Sequence, residues 1–250
     1  MKKIIFTFCI TALATLTNAQ DKKENIKVIY NTDFIIDYEK IKNDIPAAYQ
    51  ASFKSEIERG ISVKFELVSN GKMSSFKPEI KVNNNQSNDN SIAQMIIAAE
   101  ANPQFKDYQN NEFYNQKDFG AKSFLIKDKI YDYKWKITKE KADIAGYKAT
   151  KAIGTDEEGK EVIAWYATAL PYKDGPYRYA NLPGLIVKAE MITDEFKTIF
   201  TMKEIEILDK DVVITLPTKG KIVSDKEFMA EVKALNDKYK EMNQGVDTSK

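Results

Sequence analysis

The sequence predicts an α+β fold: a curved, mostly antiparallel sheet with a C-terminal helix and one or two further helices. Three observations predict it. Apolar residues recur with period two through much of the chain, the spacing of half-buried strands. The connections between those runs are short and turn-rich, which suits antiparallel pairing and excludes the alternating βαβ of a doubly wound sheet. The C-terminal segment carries a long apolar stripe at helical spacing. Composition agrees: 250 residues, 43% hydrophobic and 30% charged, rule out a wholly disordered chain.

The chain opens as an export signal. Lys2 and Lys3 give a positive start, Ile4 to Leu16 is mostly apolar, and Thr17-Asn18-Ala19 ends on a small residue. This is the pattern of a signal peptide over 1–19, with cleavage after Ala19 and an exported, periplasmic or envelope-associated product. The apolar run is too short to span a bilayer and no later stretch approaches the length required, so an integral membrane protein is not expected. Cys9, the one cysteine, lies inside the signal, which leaves the remainder without disulfides. A single domain is expected over 20–250.

Ile26 to Tyr30 reads as the first strand. Asp44, Pro46, a run to Arg59 and then Gly60 read as a cap, an early proline and a glycine stop around a helix. Ile61, Val63, Phe65 and Leu67 alternate with polar residues; Asn70-Gly71 then predicts a type I′ hairpin turn, with Lys72 to Phe76 as the returning strand. Residues 83–90, NNNQSNDN, read as a polar linker. Ser91 is expected to cap a short helix from Ile92 to Ala101, packed on the sheet or serving as a flap over a pocket.

Tyr131, Tyr133, Trp135 and Ile137 share one face of an expected strand. Tyr147–Ile153 and Val162–Ala169 follow, joined by a turn that includes Asp156-Glu157-Glu158-Gly159. That turn lacks the ligand spacing of a calcium loop and reads as a solvated connection. Leu185 to Met191, Phe196 to Leu208 and a short Val212–Leu216 complete the strands. Ser224 and Glu227 form a capping box for the last helix, 224–243, whose stripe is Phe228, Val232, Leu235, Tyr239 and Met242.

The residue inventory narrows the chemistry. There is no histidine, so triads that need an imidazole are out; no phosphate-binding loop or dinucleotide fingerprint is present, and no cofactor is implied. Zinc would need carboxylates alone, so no metal site is expected. The net charge of +1 argues against a nucleic-acid partner. All but two of the 38 basic residues are lysine, the exceptions being Arg59 and Arg178. A pair of carboxylates could still support glycoside hydrolysis, which needs two acids about 5–10 Å apart; a carboxylate-based hydrolase is the remote alternative to a protein without enzyme activity.

One segment is denser in signal than the rest. Residues 174–187 read DGPYRYANLPGLIV. Gly175-Pro176 makes a bend, Tyr177-Arg178-Tyr179 sets two rings around a guanidinium, and Leu182-Pro183-Gly184 has the order of a type II turn. As structure this is a rigid corner between strands. As function it is a recognition lip, because a guanidinium between rings can take a carboxylate or a flat ligand.

The stretch from Trp135 to Glu190 resembles the GLPGLI family of secreted proteins from Gram-negative bacteria. The resemblance rests on Trp135, Ile144-Ala145-Gly146-Tyr147-Lys148, Lys151-Ala152, Ala164-Trp165-Tyr166, Gly175-Pro176-Tyr177 and Leu182-Pro183-Gly184-Leu185-Ile186, in that order. Asn181 replaces the first glycine of the family's hexapeptide; asparagine tolerates left-handed backbone, so the turn can survive. Ala149 stands where relatives often have cysteine, which removes any thiol role. The resemblance implies an envelope protein of undefined activity and, by analogy of strand order, an open half-barrel like that of lipoprotein carriers. It supplies no catalytic residues.

Two readings are then open. In one, the chain is a non-enzymatic envelope binding or accessory protein: Tyr133, Trp135 and Trp165 line an apolar concave face beneath the C-terminal helix and residues 91–101, and the ligand is a lipid, a peptide or part of an outer-membrane protein. In the other there is no small-molecule pocket, and a structural or interaction role uses an exposed surface at Tyr177, Arg178 and Tyr179.

Overall fold

The computed structural model describes residues 25–79 and 91–244. The expected signal over 1–19 and the linker over 83–90 lie outside them. Among the described residues twelve strands form one sheet: β1 (Asn25–Ile36), β2 (Ile61–Ser69), β3 (Met73–Pro78), β4 (Gln104–Asp107), β5 (Glu112–Phe119), β6 (Lys122–Lys129), β7 (Lys136–Ile144), β8 (Tyr147–Thr155), β9 (Glu161–Ala167), β10 (Leu185–Ile192), β11 (Phe196–Leu208) and β12 (Lys221–Val223). The helices are α1 (Tyr38–Ile41), α2 (Ala47–Arg59), α3 (Ser91–Ala99) and α4 (Asp225–Gln244), with a 3₁₀ turn at Lys42–Asp44. None of these helices is long and apolar enough to cross a membrane.

The strand order is β12-β6-β5-β4-β3-β2-β1-β11-β10-β9-β8-β7. Every pair is antiparallel except β12 with β6. The two ends do not pair, so the sheet is open. It also curls. In that order β4 and β8 are seven spacings apart, about 34 Å if the sheet were flat. Yet Lys106 of β4 bonds the Tyr179 carbonyl at 3.0 Å. Tyr133, whose carbonyl accepts from Thr155 of β8, places its ring 5.2 Å from that of Tyr179. The sheet therefore wraps around residues 174–184, which fill its hollow.

Alternation sets the faces. Ile61, Val63, Phe65 and Leu67 are buried on β2, and Val28, Tyr30 and Thr32 on β1. These side chains join Phe76 and Phe200 on the concave side, with Phe65 stacked on Phe76 at 5.0 Å. The long pairing of β1 with β11 forms the spine, from Asn25 opposite Leu208 to Ile36 opposite Phe196.

Several local expectations need correction. At the β2–β3 hairpin only Gly71 has positive φ, 74°, so the turn is not type I′. Asn70 N–H bonds the Met73 carbonyl, leaving Gly71-Lys72 as the loop, with glycine at the first central position as a II′ turn requires. Asn70 instead accepts from the Lys72 and Met73 N–H groups. Pro46, not Asp44, precedes α2, and no side chain caps that helix. Ser91 does not cap α3; Glu56 of α2 does, accepting from Ile92 N–H at 3.0 Å and the Ser91 hydroxyl at 2.8 Å. Tyr131 to Trp135 lies outside the strands, tied to β8 by the bond from Thr155 N–H to the Tyr133 carbonyl, and Lys134 sits at φ 52°, so the strand starts at Lys136. Residues 212–216 form no strand; Ile214 and Leu216 pack on Phe105, Tyr114 and Leu125.

The capping box is present: Glu227 N–H bonds the Ser224 hydroxyl oxygen, and Ser224 N–H bonds the Glu227 carboxylate. Phe228, Val232 and Leu235 are half-buried, while the side chains of Tyr239 and Met242 lie outside the described residues. Phe228 meets Phe124 of β6 edge-on at 5.4 Å. Phe124 shares its face with Lys117 and Phe113, the side of Lys106, so α4 docks on the concave side at the β6/β12 end of the sheet. The rest of that face, over the phenylalanines, is covered by α3.

Candidate ligand-binding site

The concave face is organised by the segment 174–184. Asp174 and Lys106 form an ion pair at 2.7 Å, with side chains 3% and 2% exposed. The ammonium also donates to the carbonyls of Gly175 at 2.6 Å and Tyr179 at 3.0 Å. Its three N–H groups thus have three acceptors, which is what makes a buried ammonium tolerable. Burial draws the Lys106 pKa down, against the pull of Asp174. Burial, together with the charge of Asp174, holds the Tyr108 hydroxyl well above its usual range.

The backbone of the segment is fixed as firmly. Ile186 N–H bonds the Asp174 carbonyl, Asn181 N–H bonds the Lys173 carbonyl, and the Trp135 indole N–H bonds the Ala180 carbonyl at 3.0 Å. Asn181 has φ 68°, so asparagine does supply the left-handed position. Gly184 is not at positive φ, which rules out the expected type II turn over Leu182-Pro183-Gly184. Its glycine has another cause: a Cβ there would lie 2.3 Å from the Ala167 carbonyl oxygen. Gly175 is similarly confined, with Ile186 side-chain carbons 2.8 Å from a would-be Cβ, and Pro176 is buried beside it. Tyr177 adopts φ 51°, a strained value for a bulky residue.

Two cavities flank this segment. The first, about 290 Å³, lies between α3 and the sheet. Its walls are Phe34, Phe65, Phe76, Phe196 and Phe200, with Ile96, Ala99 and Glu100 of α3 above and Gln104, Tyr177, Met191 and Thr198 completing it. Gln104 Oε1 and Thr198 Oγ1 are buried without a hydrogen-bond partner among the described residues. The second, about 230 Å³, has Tyr131, Tyr133, Tyr177 and Tyr179 on its walls and acidic residues of the β8–β9 turn at its mouth.

The expected site residues divide accordingly. Tyr177 is half-buried and lines both cavities; Tyr133 and Tyr179 are buried but line the second. Their hydroxyl pKa values are pushed up, first by burial. Arg178 is no open recognition lip: its side chain is only 16% exposed, it bonds Asp225 of α4 at 2.8 Å, and it lies over the Phe113 ring at 4.4 Å. The guanidinium does take a carboxylate, but one from this chain. With Tyr179 2% exposed as well, the three residues do not form an exposed interaction surface.

Trp135 packs into the core and lines neither cavity. Trp165 sits on the wrong face: alternation on β9 sets Val162, Ala164 and Tyr166 toward the hollow and Trp165 away from it. Sequence reasoning missed the phenylalanines and the Lys106–Asp174 lock. The phenylalanines come from β1, β2, β3 and β11, and only strand pairing brings them together. No local motif marks them beyond the alternation already seen on β2.

Comparison with known proteins adds fold and little more. A family described as a protein of unknown function (Porph_ging) matches residues 154–188. The match falls within the stretch that carries the GLPGLI resemblance and includes the whole of 174–184. No curated protein matches the chain. Among solved structures, PNGF-II in its P21 crystal form superposes with a TM-score of 0.52 at 14% identity, covering 84% of this chain and 33% of that one. The C2 form gives 0.50 and 12%, over 84% and 32%. The chain thus spans about a third of the length of PNGF-II, and the likeness is one of fold. An uncharacterized conserved protein from Thermus thermophilus superposes less well, with a TM-score of 0.41 at 6% identity over 81% of this chain and 91% of that one.

Proposed function

We propose that this chain is a non-enzymatic binding protein of the cell envelope and that the cavity beneath α3 holds an apolar ligand. The observation that carries this reading is the phenylalanine-walled space of about 290 Å³ on the concave face. That space is open to solvent on one side, so its apolar walls meet water at a free-energy cost. An apolar ligand would cover them, and the volume is near the lower bound of small-molecule sites. The export pattern over 1–19 and the GLPGLI resemblance support the envelope. The chain has no histidine, and its one cysteine is Cys9, so it has few groups suited to proton transfer at neutral pH.

The test uses an apolar fluorescent probe, N-phenyl-1-naphthylamine, with Ile96→Trp as a variant that fills the cavity from α3. Saturable enhancement with the wild type, weakened at least about tenfold in a stably folded Ile96→Trp, is expected. Equal binding by both, or no saturable binding, overturns the reading. N-terminal sequencing of the exported protein should begin at Gln20; retention of residues 1–19 would discard the export assignment.

A further inference from the structure

We propose that the two cavities form one site and that its ligand is a cationic amphiphile, an apolar chain ending in an alkylated ammonium. This rests on the reading of the first cavity as a ligand site, and adds which ligand it selects. Tyr177 and Met191 line both spaces, so the two abut at these side chains, with the Tyr177 ring between them. The character of the wall changes across that ring. On one side are phenylalanines; on the other are tyrosine rings and a mouth carrying Asp156, Glu157, Glu158 and Glu161.

The rings are set for a cation. Tyr131 meets Tyr133 edge-on at 4.9 Å, Tyr133 also stacks on Trp135, and Tyr177 stacks on Phe200, so each ring offers the space the edge or face that these contacts leave open. A weakly hydrated cation gains from such faces, and quaternary ammonium ions are a ligand class recognised in this way. The charges agree. Among the described residues, Arg178 is the one cation in the wall. Asp225 neutralises it at 2.8 Å, and Phe113 covers it at 4.4 Å. Lys160 offsets Glu158 at 2.9 Å, and the remaining turn carboxylates leave the mouth negative.

The carboxylates do not suit a metal ion. Among the described residues, no group of three His, Cys, Asp or Glu side chains could hold one. Spread carboxylates above aromatic walls favour a large, diffuse charge over a small, hard one, which needs converging oxygens.

The experiment titrates the purified protein calorimetrically with decyltrimethylammonium, 1-decanol and decyl sulfate, each below its aggregation threshold. Decyltrimethylammonium should bind about tenfold tighter than decanol, and decyl sulfate should bind weaker than either. The exposed pair Glu157→Gln/Glu161→Gln should erase the ammonium preference and leave decanol affinity unchanged. Decylphosphocholine, which carries the same cation behind a phosphate, separates two sources of the group. Affinity within about threefold of decyltrimethylammonium supports a choline-type headgroup, and a fall to the decanol value supports an alkylated ammonium joined to its chain without a phosphate. Equal affinities for the three decyl compounds, or a preference that survives the double substitution, would overturn the inference while leaving the apolar site intact. If none of the compounds binds, both readings fail.

Discussion

The segment 174–184 and helix α3 face each other across the apolar cavity, yet they are held by different means. The segment is anchored from within: Lys106 spends all three N–H donors on it, Trp135 donates to it, and Gly184 lets it press against Ala167. Helix α3 is held at its ends and by a short apolar side on which Ile96 and Ile97 pack half-buried against the core. Glu56 caps its start, and Lys117 closes its finish by bonding the Ala99 carbonyl and Glu100. Only Ile92 and Ala93 of its nine residues are buried. The contrast separates a fixed wall from a roof with little burial to hold it. Sites that must admit a ligand draw their moving part from the low-stability end of the structure.

Lys106→Met tests the fixed wall most severely. It leaves Asp174 buried without its partner, and removing one member of a buried pair costs about 3–5 kcal/mol. Denaturant unfolding should show that loss, with partial recovery in Lys106→Met/Asp174→Asn. A cost under about 1 kcal/mol would show that the segment is held by other contacts. Gly184→Ala attacks the same wall through the backbone. Its Cβ cannot lie 2.3 Å from a carbonyl oxygen, so β9 or the segment must shift, at about 2–3 kcal/mol. Its melting temperature should fall; one that stays in place would mean the close approach is dispensable.

How much of this was legible in the sequence follows from how local each cause is. Phe196 to Leu208 and the Ser224–Glu227 box are set by residues within a few positions of each other, and both stand as expected. So does Asn181, whose left-handed backbone is a property of one residue. The Asn70-Gly71 turn slipped by one position, because the Asn70 side chain reads better as a flank that accepts N–H groups than as a turn centre. Tyr131 to Trp135 keeps its shared aromatic face but lacks strand pairing, which period-two alternation does not encode. The site was least legible. Lys106 is one lysine among many and far along the chain from Asp174, and the cavity walls meet only when β3 and β11 flank β1 and β2.

The roof should yield to smaller changes. Glu56→Ala removes the acceptor for Ile92 N–H and the Ser91 hydroxyl, a loss of about 1 kcal/mol by analogy with other helix caps. Hydrogen exchange of amides in α3 should then quicken several-fold while those of β1 stay protected. Equal acceleration in both would mean that α3 and the sheet open as one unit, and the contrast between roof and wall would fall.

Acid should do the same to the wild type, more gently. Burial alone would raise the Glu56 pKa, but the bonds from Ile92 and Ser91 outweigh it, and the folded value lies below the ordinary 4.5. A carboxyl depressed by folding contributes stability that is fully present above its unfolded value and is lost as pH falls through the folded one. Exchange in α3, corrected for its intrinsic pH dependence, should therefore be flat from neutrality to about pH 5 and rise below the ordinary Glu value. Glu56→Gln keeps one acceptor oxygen and cannot titrate, so its α3 should start less protected and show no such step. A step of equal size in that variant would assign the acid sensitivity to other groups, with Glu190 the first to examine. Burial raises its pKa, but Lys188 and Lys197 outweigh that and hold it down, so it loses stabilisation in the same direction.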